Sequence, residues 1–456
     1  MNDNNDNRIC IIGAGLTGTL LSLYLAKRGY RVDVYEKRPD MRRTDIRGGR
    51  TIVMVISHRG FSALAGIGLE DRVRSCTVPN HSRMVHLPDG STERQTYGRN
   101  GQTINTVERK ELNCLLMDEA ERTGKVSISF LHQLEGIDMD TGRIEVRNVE
   151  TGERYSKHYR YVFGADGAFS DVRNAMVEAK AITGELRSVG YGYRELVIPA
   201  GHDGDWILDH RHLHTWPRGS CFLVALPRLD RTFGCNLFLP SEGRFSMATI
   251  QTEDSVHRLF TDLFPDIKDS MPSLTQDFFN NPSSEIFRVS ASPWNYRDRI
   301  LLIGDAAHAI APFFGMGMNV CFEDCAAFDK LLDKHAGSIG KAMEEFGAIR
   351  KADTNAIAEL SDRNFQDLGN PDPKYPLKWQ LSRDIQSIYP DRWVPLYVMM
   401  AFSSLPLAEV FRRGEVQRGI LEKIVANEEE ASLTDRRQLE RILPKYLALE
   451  PELSRN

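Results

Sequence analysis

The 456-residue sequence predicts an α/β protein in which a parallel-sheet lobe is interrupted by an antiparallel β-sheet and followed by a helical C-terminal region. Three observations predict this arrangement. The chain opens with a strand, a glycine-rich turn, a helix and a second strand. Runs of β-forming residues separated by turns fill residues 189–239, and the pattern after about Cys321 is mostly helical. A chain of this length also favours two closely packed lobes.

The opening segment predicts a strand–helix–strand unit. Arg8–Ile12 is a short apolar strand, and residues 20–28 have the apolar spacing of a helix that Gly29 ends. Residues 31–36, RVDVYE, alternate as a second strand. Between the first strand and the helix the sequence reads GAGLTG, at residues 13–18.

This turn has the glycine spacing of a dinucleotide-binding fingerprint. Gly13 permits the tight turn, Gly15 lets the backbone approach a pyrophosphate, and Gly18 allows the helix to pack closely on the sheet. The helix N-terminus offers N–H groups to phosphates, and Glu36 ends the second strand where a carboxylate would hold ribose hydroxyls. The context favours a Rossmann-like cofactor site over a glycine-rich turn with a surface Glu, and leaves FAD and NAD as alternatives.

Two further apolar strands end in a carboxylate. Residues 161–167, YVFGADG, place Asp166 at one strand end, and residues 300–308, ILLIGDAAH, place Asp305 at another. Ligands bind at the carboxyl ends of strands in open α/β sheets, so Asp305 is expected to accept from a ribityl hydroxyl. The glycines of PFFGMGMN, at residues 312–319, let backbone N–H groups approach a flavin edge or a reaction oxyanion.

Composition narrows the class of protein. A net charge of −5 with scattered Lys and Arg gives no reason to expect nucleic acid. The polar residues 1–7 run directly into a strand, so no signal peptide and a cytoplasmic location are expected. Residues 393–408 carry no charge but are shorter than the ~20 residues of a spanning helix and contain two prolines. They are interpreted as a buried helix or a lid on the substrate side, and no membrane anchor is predicted.

The seven cysteines form no C-x-x-C pair. Their odd number favours a reducing compartment and buried thiols over disulfides. Cys321 and Cys325 lie one helical turn apart, but without a second pair of ligands core packing is favoured and no metal site is predicted.

The three motifs, in this order along the chain, resemble those of the single-component (class A) flavoprotein hydroxylases. The resemblance implies a bound FAD and a transient NADPH or NADH, which needs no second fingerprint. Arg109 matches the arginine that starts a helix, here residues 110–121, and reaches the cofactor phosphates; the alternative is one solvated Arg among many. The cofactor-binding residues so implied are Gly13, Gly15, Gly18, Glu36, Arg109, Asp166, Asp305, Gly315, Gly317, Met318 and Asn319.

Within that family, further stretches are similar to the kynurenine 3-monooxygenases, from about residue 8 to past residue 420. They are SRMVH at 82–86, YGR at 97–99, GYREL at 192–196, HTWP at 214–217, ALP at 225–227, LDR at 229–231, PFFG at 312–315 and VPLY at 394–397. This likeness implies a small aromatic amino acid and O2 as substrates. The substrate-binding residues implied are Arg83 and Tyr97 for the α-carboxylate, Asn364 for the amino-acid end, Phe238, Pro312 and Phe313 for the ring, and Met316, Asp367 and Tyr397 nearby.

Three residues depart from the family pattern near the implied pocket. Met316 stands where the family usually carries Gln, which removes a donor and an acceptor. Phe365 replaces a Tyr, and Asp367 replaces a Glu. A substituted kynurenine or another aminoaryl compound, such as anthranilate, is therefore an alternative substrate. A non-catalytic flavin-binding protein is the alternative of a different class.

The resemblance also implies a mechanism and a division of the chain. Reduced flavin captures O2 as a C4a-hydroperoxide that hydroxylates the ring, and no acid or base is assigned because the cofactor carries the chemistry. His308 is interpreted as structural, since its sequence neighbours are small and apolar. The implied segments are an FAD-binding domain at 1–75, 106–180 and 291–350, a substrate-side segment at 76–105, a β-sheet substrate domain at 181–290 and a helical region at 351–456 that covers the pocket.

Overall fold

The computed structural model describes residues 8–43, 52–98, 101–281, 283–369 and 374–447, with the backbone alone at 366–369. Its strands are β1 (Arg8–Ile12), β2 (Arg31–Glu36), β3 (Val53–Ile56), β4 (Val78–Asn80), β5 (Ser82–His86), β6 (Thr92–Thr96), β7 (Ile104–Glu108), β8 (Val126–Phe130), β9 (His132–Asp138), β10 (Arg143–Asn148), β11 (Arg154–His158), β12 (Tyr161–Gly164), β13 (Thr183–Ile198), β14 (His212–Arg218), β15 (Cys221–Pro227), β16 (Phe233–Pro240), β17 (Ser283–Ser292), β18 (Asn295–Tyr296) and β19 (Ile300–Leu302).

The helices are α1 (Leu16–Lys27), α2 (His58–Ala65), α3 (Glu70–Arg74), α4 (Arg109–Arg122), α5 (Asp171–Glu178), α6 (Glu253–Leu263), α7 (Pro265–Lys268), α8 (Leu274–Asn280), α9 (Asp305–His308), α10 (Gly317–Lys334), α11 (Ile339–Gly369), α12 (Tyr375–Ile388), α13 (Leu396–Phe402), α14 (Leu407–Asn427), α15 (Glu430–Thr434) and α16 (Arg436–Leu447). A 3₁₀ turn covers Pro312–Phe314.

The first lobe is built on a sheet whose six strands, within the described residues, follow the order β18-β19-β12-β1-β2-β8. β1 pairs in parallel with both β2 and β12, and β12 pairs in parallel with β19. The prediction of a parallel sheet at both motif strands is therefore confirmed. The helix after β1 starts at Leu16 rather than at residue 20, because Gly15 is its N-cap and the fingerprint itself forms the first turn.

The second lobe is built on a larger sheet, in the order β17-β13-β16-β15-β14-β5-β6 over the described residues. Its pairs are antiparallel as predicted, except that β5 lies parallel to β14, with Ser82 opposite His212. The antiparallel sheet predicted at residues 189–239 is therefore confirmed, and β5 joins it as a parallel strand from outside that range. β5 enters from the first lobe instead of through a hairpin with β14, so no short turn dictates its direction.

Helices cover the outer face of this larger sheet. Trp216 and Leu237 from the strands pack against Phe260 and Phe278 from α6 and α8, and all four side chains are fully buried. The opposite face of the sheet turns toward the first lobe, and the space between the lobes holds the cavity described below.

The C-terminal helices close the molecule on the cavity side. Within residues 393–408, α13 is a short helix whose Met399, Met400 and Ala401 are buried, which confirms the prediction of a buried helix. Among the residues that the structure describes, no helix combines the length and the apolar character needed to cross a bilayer.

A histidine pair in the second lobe predicts a stability that depends on pH. His214 is buried, its Nδ1 lies 2.9 Å from His86 Nε2, and its Nε2 lies 3.0 Å from the carbonyl oxygen of Asp209. Burial, with a further contribution from His86, lowers the pKa of His214 to about 4. The folded protein therefore binds this proton less readily than the unfolded chain, whose histidines titrate near pH 6.5.

The contribution of His214 to the free energy of unfolding is therefore fully present above pH 6.5. It is lost as the pH falls toward 4, which lowers the free energy of unfolding by about 3 kcal/mol. We expect the melting temperature, measured by thermal denaturation at a series of pH values, to fall over that range. In His214→Gln the melting temperature should depend less steeply on pH. His257→Gln, at an exposed position on α6, is the matched control and should keep the original slope. An unchanged slope in His214→Gln would contradict the assignment.

Candidate functional site

One continuous cavity of about 1590 Å³ runs from the glycine turn of the first lobe to the C-terminal helices. It is larger than the roughly 300–1000 Å³ of a site for a single small ligand. At one end it is lined by Gly13, Gly15, Glu36, Arg109, Asp166 and Asp305, and at the other by Arg83, Tyr97, Phe238, Phe313, Asn364 and Tyr397. The fold thus brings most members of both predicted sets into the same space.

The glycine turn has the geometry of a phosphate cradle. Gly13 adopts φ +103°, and a Cβ there would lie 2.6 Å from the carbonyl oxygen of Ala165. A Cβ on Gly18 would collide with the carbonyl oxygen of Gly13, so Gly18 serves helix packing and does not line the cavity. A Cβ on Gly15 would meet no atom within 4 Å, which leaves open space in front of the N-terminus of α1. These three environments match the three roles that the fingerprint predicts.

Glu36 lies at the end of β2 beside this turn. Its Oε2 accepts from the backbone N–H of Ala14 at 3.0 Å, and Oε1 accepts from Arg38 Nε at 2.8 Å. Burial disfavours the charge on this carboxyl, but Arg38 outweighs burial and holds the pKa of Glu36 below its usual value. An ionised acceptor therefore faces the cavity where a ribose was predicted.

The two strand-end aspartates have different surroundings. Asp166 lines the cavity, but its Oδ2 accepts from the backbone N–H groups of Asp171 and Val172 at 2.7 and 3.2 Å, so it caps the start of α5. Asp305 begins α9 and also lines the cavity, where Cys321 Sγ donates to its Oδ1 at 3.5 Å. The carboxylate of Asp305 keeps more of its accepting capacity for a ligand.

His308 has charged and aromatic neighbours, not the small apolar ones that its sequence context suggested. Its Nε2 donates to Asp324 Oδ2 at 2.5 Å, and its ring packs on Trp294 with 5.0 Å between centroids. Asp324 and Trp294 come from elsewhere in the chain, so the small apolar residues beside His308 in the sequence do not reveal them. The buried contacts support the structural interpretation on different grounds.

The glycine loop, residues 312–319, is held in place by the side chain of Asn319. Gly315 adopts φ +66°, and Gly317 starts α10 with Met318 beside it. Asn319 is fully buried and does not line the cavity: Oδ1 accepts from Ser57 N–H at 2.8 Å and Nδ2 donates to the carbonyls of Val55 and Gly315 at 2.9 and 3.1 Å. Asn319 thus joins the loop to β3, while backbone groups of the loop face the cavity.

We expect Asn319→Ala to lower the free energy of unfolding by about 2–4 kcal/mol, because several buried polar groups lose their partners. Chemical denaturation monitored by circular dichroism measures this loss. Asn427→Ala, at an exposed position where the amide donates to the carbonyl of Lys423, should change stability by less than about 0.5 kcal/mol. Equal effects of the two substitutions would contradict the role given to Asn319.

A cation and two phenols meet at the far end of the cavity. Arg83 donates through Nε to Gln95 Oε1 at 3.0 Å and through Nη2 to the same atom. In the described part of the chain its Nη1 makes no hydrogen bond, so this donor is available to a ligand. Tyr97 stacks on Tyr397 with 5.2 Å between ring centroids. Burial raises the pKa of both hydroxyls, against the opposing charge of Arg83, so they remain neutral donors.

Aromatic rings form the wall between this end and the glycine loop. Phe313 lies between Phe238 and Phe365, with centroids 5.6 and 3.8 Å apart respectively, and it stacks on Phe365. Asn364 donates through Nδ2 to the carbonyl of Phe313 at 2.9 Å. Pro312 completes this wall. Phe365 stacks on Phe313 and does not itself line the cavity, so the replacement of Tyr by Phe365 lies behind the pocket wall.

Two predicted substrate contacts differ from the rest. The side chain of Met316 is buried among Val320, Ile357, Met399 and Val410 and does not line the cavity, so its apolar character suits its surroundings. The side chain of Asp367 lies outside the described residues.

Sequence reasoning missed three polar residues at the cofactor end. Asn113 on α4 donates to the carbonyl of Ala14 at 3.1 Å, and its buried Oδ1 has no hydrogen-bond partner among the described residues. Arg38 donates to Glu36. Arg173 donates to the carbonyls of Ala306 and Ala168, which lie in the turns that follow Asp305 and Asp166. The spacing of Arg173 after the D-G motif was the one signal present in the sequence.

The residues at this end fit FAD. The open space before Gly15, the ionised Glu36 and the unpartnered Asn113 Oδ1 provide donors and acceptors for a dinucleotide. The cavity then continues past Asp305 to the aromatic wall, as a flavin ring next to a substrate would require. No group of His, Cys, Asp and Glu side chains among the described residues is arranged to hold a metal ion.

Comparison with known proteins agrees with this geometry. The profile of the FAD binding domain family matches residues 6–343. The chain is 38% identical over 427 residues to a kynurenine 3-monooxygenase of Myxococcus xanthus, covering 93% of this chain and 92% of that protein. It is 38% identical over 420 residues to the kynurenine 3-monooxygenase of Flavobacterium johnsoniae, covering 92% and 94% of the two chains.

Solved structures share the fold at low identity. A 2-methyl-3-hydroxypyridine-5-carboxylic acid oxygenase superposes with a TM-score of 0.67 at 19% identity, covering 82% of this chain and 95% of its own. The tetracycline destructase Tet(51) superposes with a TM-score of 0.60 at 17% identity, covering 84% and 96%. These likenesses extend over both lobes.

Proposed function

We propose, since the chain belongs to the FAD binding domain family and is a flavoprotein monooxygenase of kynurenine 3-monooxygenase type, that it hydroxylates L-kynurenine or a close analogue at the 3 position of the ring. NADPH or NADH is the electron donor and O2 the oxidant. One observation carries the choice of substrate: a single cavity joins the glycine cradle to an apolar slot that ends at Arg83.

The residues at the far end suit an aromatic amino acid. Arg83 would bind the α-carboxylate through its available Nη1, with the neutral hydroxyls of Tyr97 and Tyr397 as further donors. Asn364 would meet the amino-acid end. Phe238 and Phe313, with Pro312, would hold the ring by apolar contact. A small zwitterion with an aniline ring satisfies all of these groups.

At the cofactor end, Gly13, Gly15 and Arg109 would hold the pyrophosphate and Glu36 a ribose. Asp305 would accept from the ribityl chain, and the backbone of Gly315, Gly317 and Met318 would approach the flavin ring. Gly18, Asp166 and Asn319 would act indirectly, by fixing the backbone of this cradle.

When bound, FAD would accept the hydride and activate O2. The protein contributes binding, orientation and exclusion of water. Arg83 fixes one end of the substrate while the wall around Phe313 fixes the plane of its ring, so that the ring carbon beside the amino group faces the glycine loop. The buried faces of Phe238 and Phe313 keep water from the reacting atoms.

The test is a substrate panel with product identification. Purified protein with FAD is assayed for NADPH oxidation with L-kynurenine, ring-substituted kynurenines, anthranilate and tryptophan. We expect L-kynurenine to accelerate NADPH oxidation and to yield 3-hydroxykynurenine. A higher kcat/KM for a substituted kynurenine or for anthranilate would move the assignment to that aminoaryl compound. NADPH oxidation that no aromatic amino acid alters would refute the proposal, and flavin that NADPH does not reduce would indicate a binding protein.

A further inference from the structure

A row of buried and half-buried charges links the C-terminal helices to the turn at Gly304 and Asp305, called here the cofactor turn, and lies outside the cavity lining. We call it the ion network; its members are Arg59 on α2, Glu323 and Asp324 on α10, and Arg350 and Asp353 on α11. Arg59 Nη1 donates to Glu323 Oε1 at 2.6 Å, and Arg350 Nε donates to Asp324 Oδ1 at 2.8 Å. None of these residues lines the cavity.

One end of the ion network holds α13. Arg59 is 2% exposed, its Nε donates to the carbonyl of Met400 at 2.6 Å and its Nη2 donates to the carbonyl of Leu405 at 2.7 Å. These carbonyls lie at the C-terminal end of α13 and just beyond it, where helical partners run out. α13 also carries Tyr397, which faces the proposed substrate. Asp353 Oδ1 accepts from the backbone N–H of Ala408 at 2.9 Å, which fixes the start of α14.

The other end holds the turn before Asp305. Asp324 is fully buried, and its Oδ2 accepts from the backbone N–H of Gly304 at 3.2 Å as well as from His308. Burial opposes the charge of Asp324, but His308 and Arg350 outweigh burial and keep the pKa of this carboxyl below its usual value. Gly304 adopts φ +65°, and a Cβ there would lie 2.8 Å from Thr17 of α1. The turn is therefore held from both sides.

The two ends meet at a loose junction. Glu323 Oε2 is buried and makes no hydrogen bond among the described residues, and Arg350 Nη2 lies 3.6 Å from it. Every other link given above is a hydrogen bond. Leaving a buried charge unpaired is costly, so a displacement of Arg59 would be followed by Glu323 and then by Arg350. The junction has room to shorten when that happens.

We infer that Arg59 and Glu323 are positioning residues that transmit the position of α13, and of Tyr397 on it, to the cofactor turn at Gly304 and Asp305. Substrate that engages Tyr397 draws α13 inward, the junction between Glu323 and Arg350 shortens, and Asp324 adjusts the turn that meets the cofactor. Reduction of the flavin is thereby made to depend on substrate. This inference rests on the proposed function, because L-kynurenine is taken as the molecule that engages Tyr397.

The test compares Arg59→Lys and Glu323→Gln with the unmodified protein and with Arg28→Lys. Arg28 is the matched control, since it pairs with Asp329 and Asp333 on the same helix α10 but outside the ion network. Flavin reduction by NADPH is followed anaerobically with and without L-kynurenine, and the visible circular dichroism of bound FAD is recorded. We expect both network variants to reduce the stimulation by L-kynurenine about tenfold, within the range of coupling energies between sites, with little change in the unstimulated rate.

The same variants should alter the circular dichroism of bound FAD although neither residue touches the cavity, and Arg28→Lys should match the unmodified protein in both measurements. The inference would be overturned if Arg59→Lys and Glu323→Gln showed the same stimulation by L-kynurenine and the same flavin spectrum as the unmodified protein. If the unmodified protein is not stimulated by L-kynurenine, the proposed function fails, and the flavin spectrum alone then decides whether the ion network reaches the cofactor turn.

Discussion

Gly13→Ala is expected to yield a protein that folds but binds FAD at least about 100-fold more weakly. The methyl group would lie 2.6 Å from the carbonyl oxygen of Ala165 and 2.8 Å from Asp166 Cα, on a backbone at φ +103°. Relief of this contact must move the turn away from β12, and this turn is the part proposed to cradle the pyrophosphate. Positive φ costs a non-glycine residue about 1–2 kcal/mol, and the displaced backbone removes charge-assisted bonds of similar size. Flavin absorbance per protein and titration of FAD fluorescence measure the loss.

Gly29→Ala provides the matched control. Gly29 has nearly the same φ, +97°, but a Cβ there would meet no atom within 4 Å. The control carries the backbone strain without the collision and lies after α1, away from the cavity. It should lose about 1 kcal/mol of stability and retain its FAD. Equal flavin content in the two variants would show that the Gly13 turn does not hold the cofactor.

Arg83→Met is expected to lower kcat/KM for L-kynurenine about 100-fold, because a charge-assisted contact to the carboxylate is lost and its apolar replacement faces that charge. Most of the effect should appear in KM, since the carboxylate is distant from the reacting ring carbon. Steady-state NADPH oxidation with product quantification measures it. FAD content should be unchanged.

Arg94→Met is the control for Arg83. Arg94 lies on the neighbouring strand β6, opposite Met84, but is exposed and outside the cavity lining. Its kinetic constants should stay within about twofold of the original, as for most exposed substitutions. If Arg83→Met left KM for L-kynurenine unchanged while product still formed, the carboxylate would have to bind elsewhere, and the orientation proposed for the substrate would be wrong.

The parts of the site that could be predicted from sequence are those whose geometry is local. Gly13, Gly15 and Gly18 act within one turn, so their spacing alone predicts three distinct environments. The strand ends at Asp166 and Asp305 were predictable for a similar reason, because apolar runs identify buried strands. The roles of Arg83, Tyr97 and Tyr397 came from family resemblance and stay predictions, to which the structure adds that they share one end of the cavity.

The sequence could not predict contacts that depend on which side of a helix or turn faces a distant part of the chain. Asn319 lies in the motif expected to touch the cofactor, yet its side chain turns away to bind Ser57 and Val55, far off along the chain. Met316 likewise points into packing between helices. Asp324 and His308 meet only because α10 runs back past the turn that follows β19. These contacts join distant segments, and no local spacing encodes them.

The strand order of the first lobe has a consequence for how the protein is made. β1 and β2 are synthesised early, but the sheet is incomplete until β12 and then β19 add to it, with Ile300 beside Val162. Pairing between such distant segments slows folding, since long loops must close before the contacts form. Asp305 emerges from the ribosome only after the whole second lobe. The cofactor site proposed around Asp305 is therefore completed only after the whole second lobe has been synthesised.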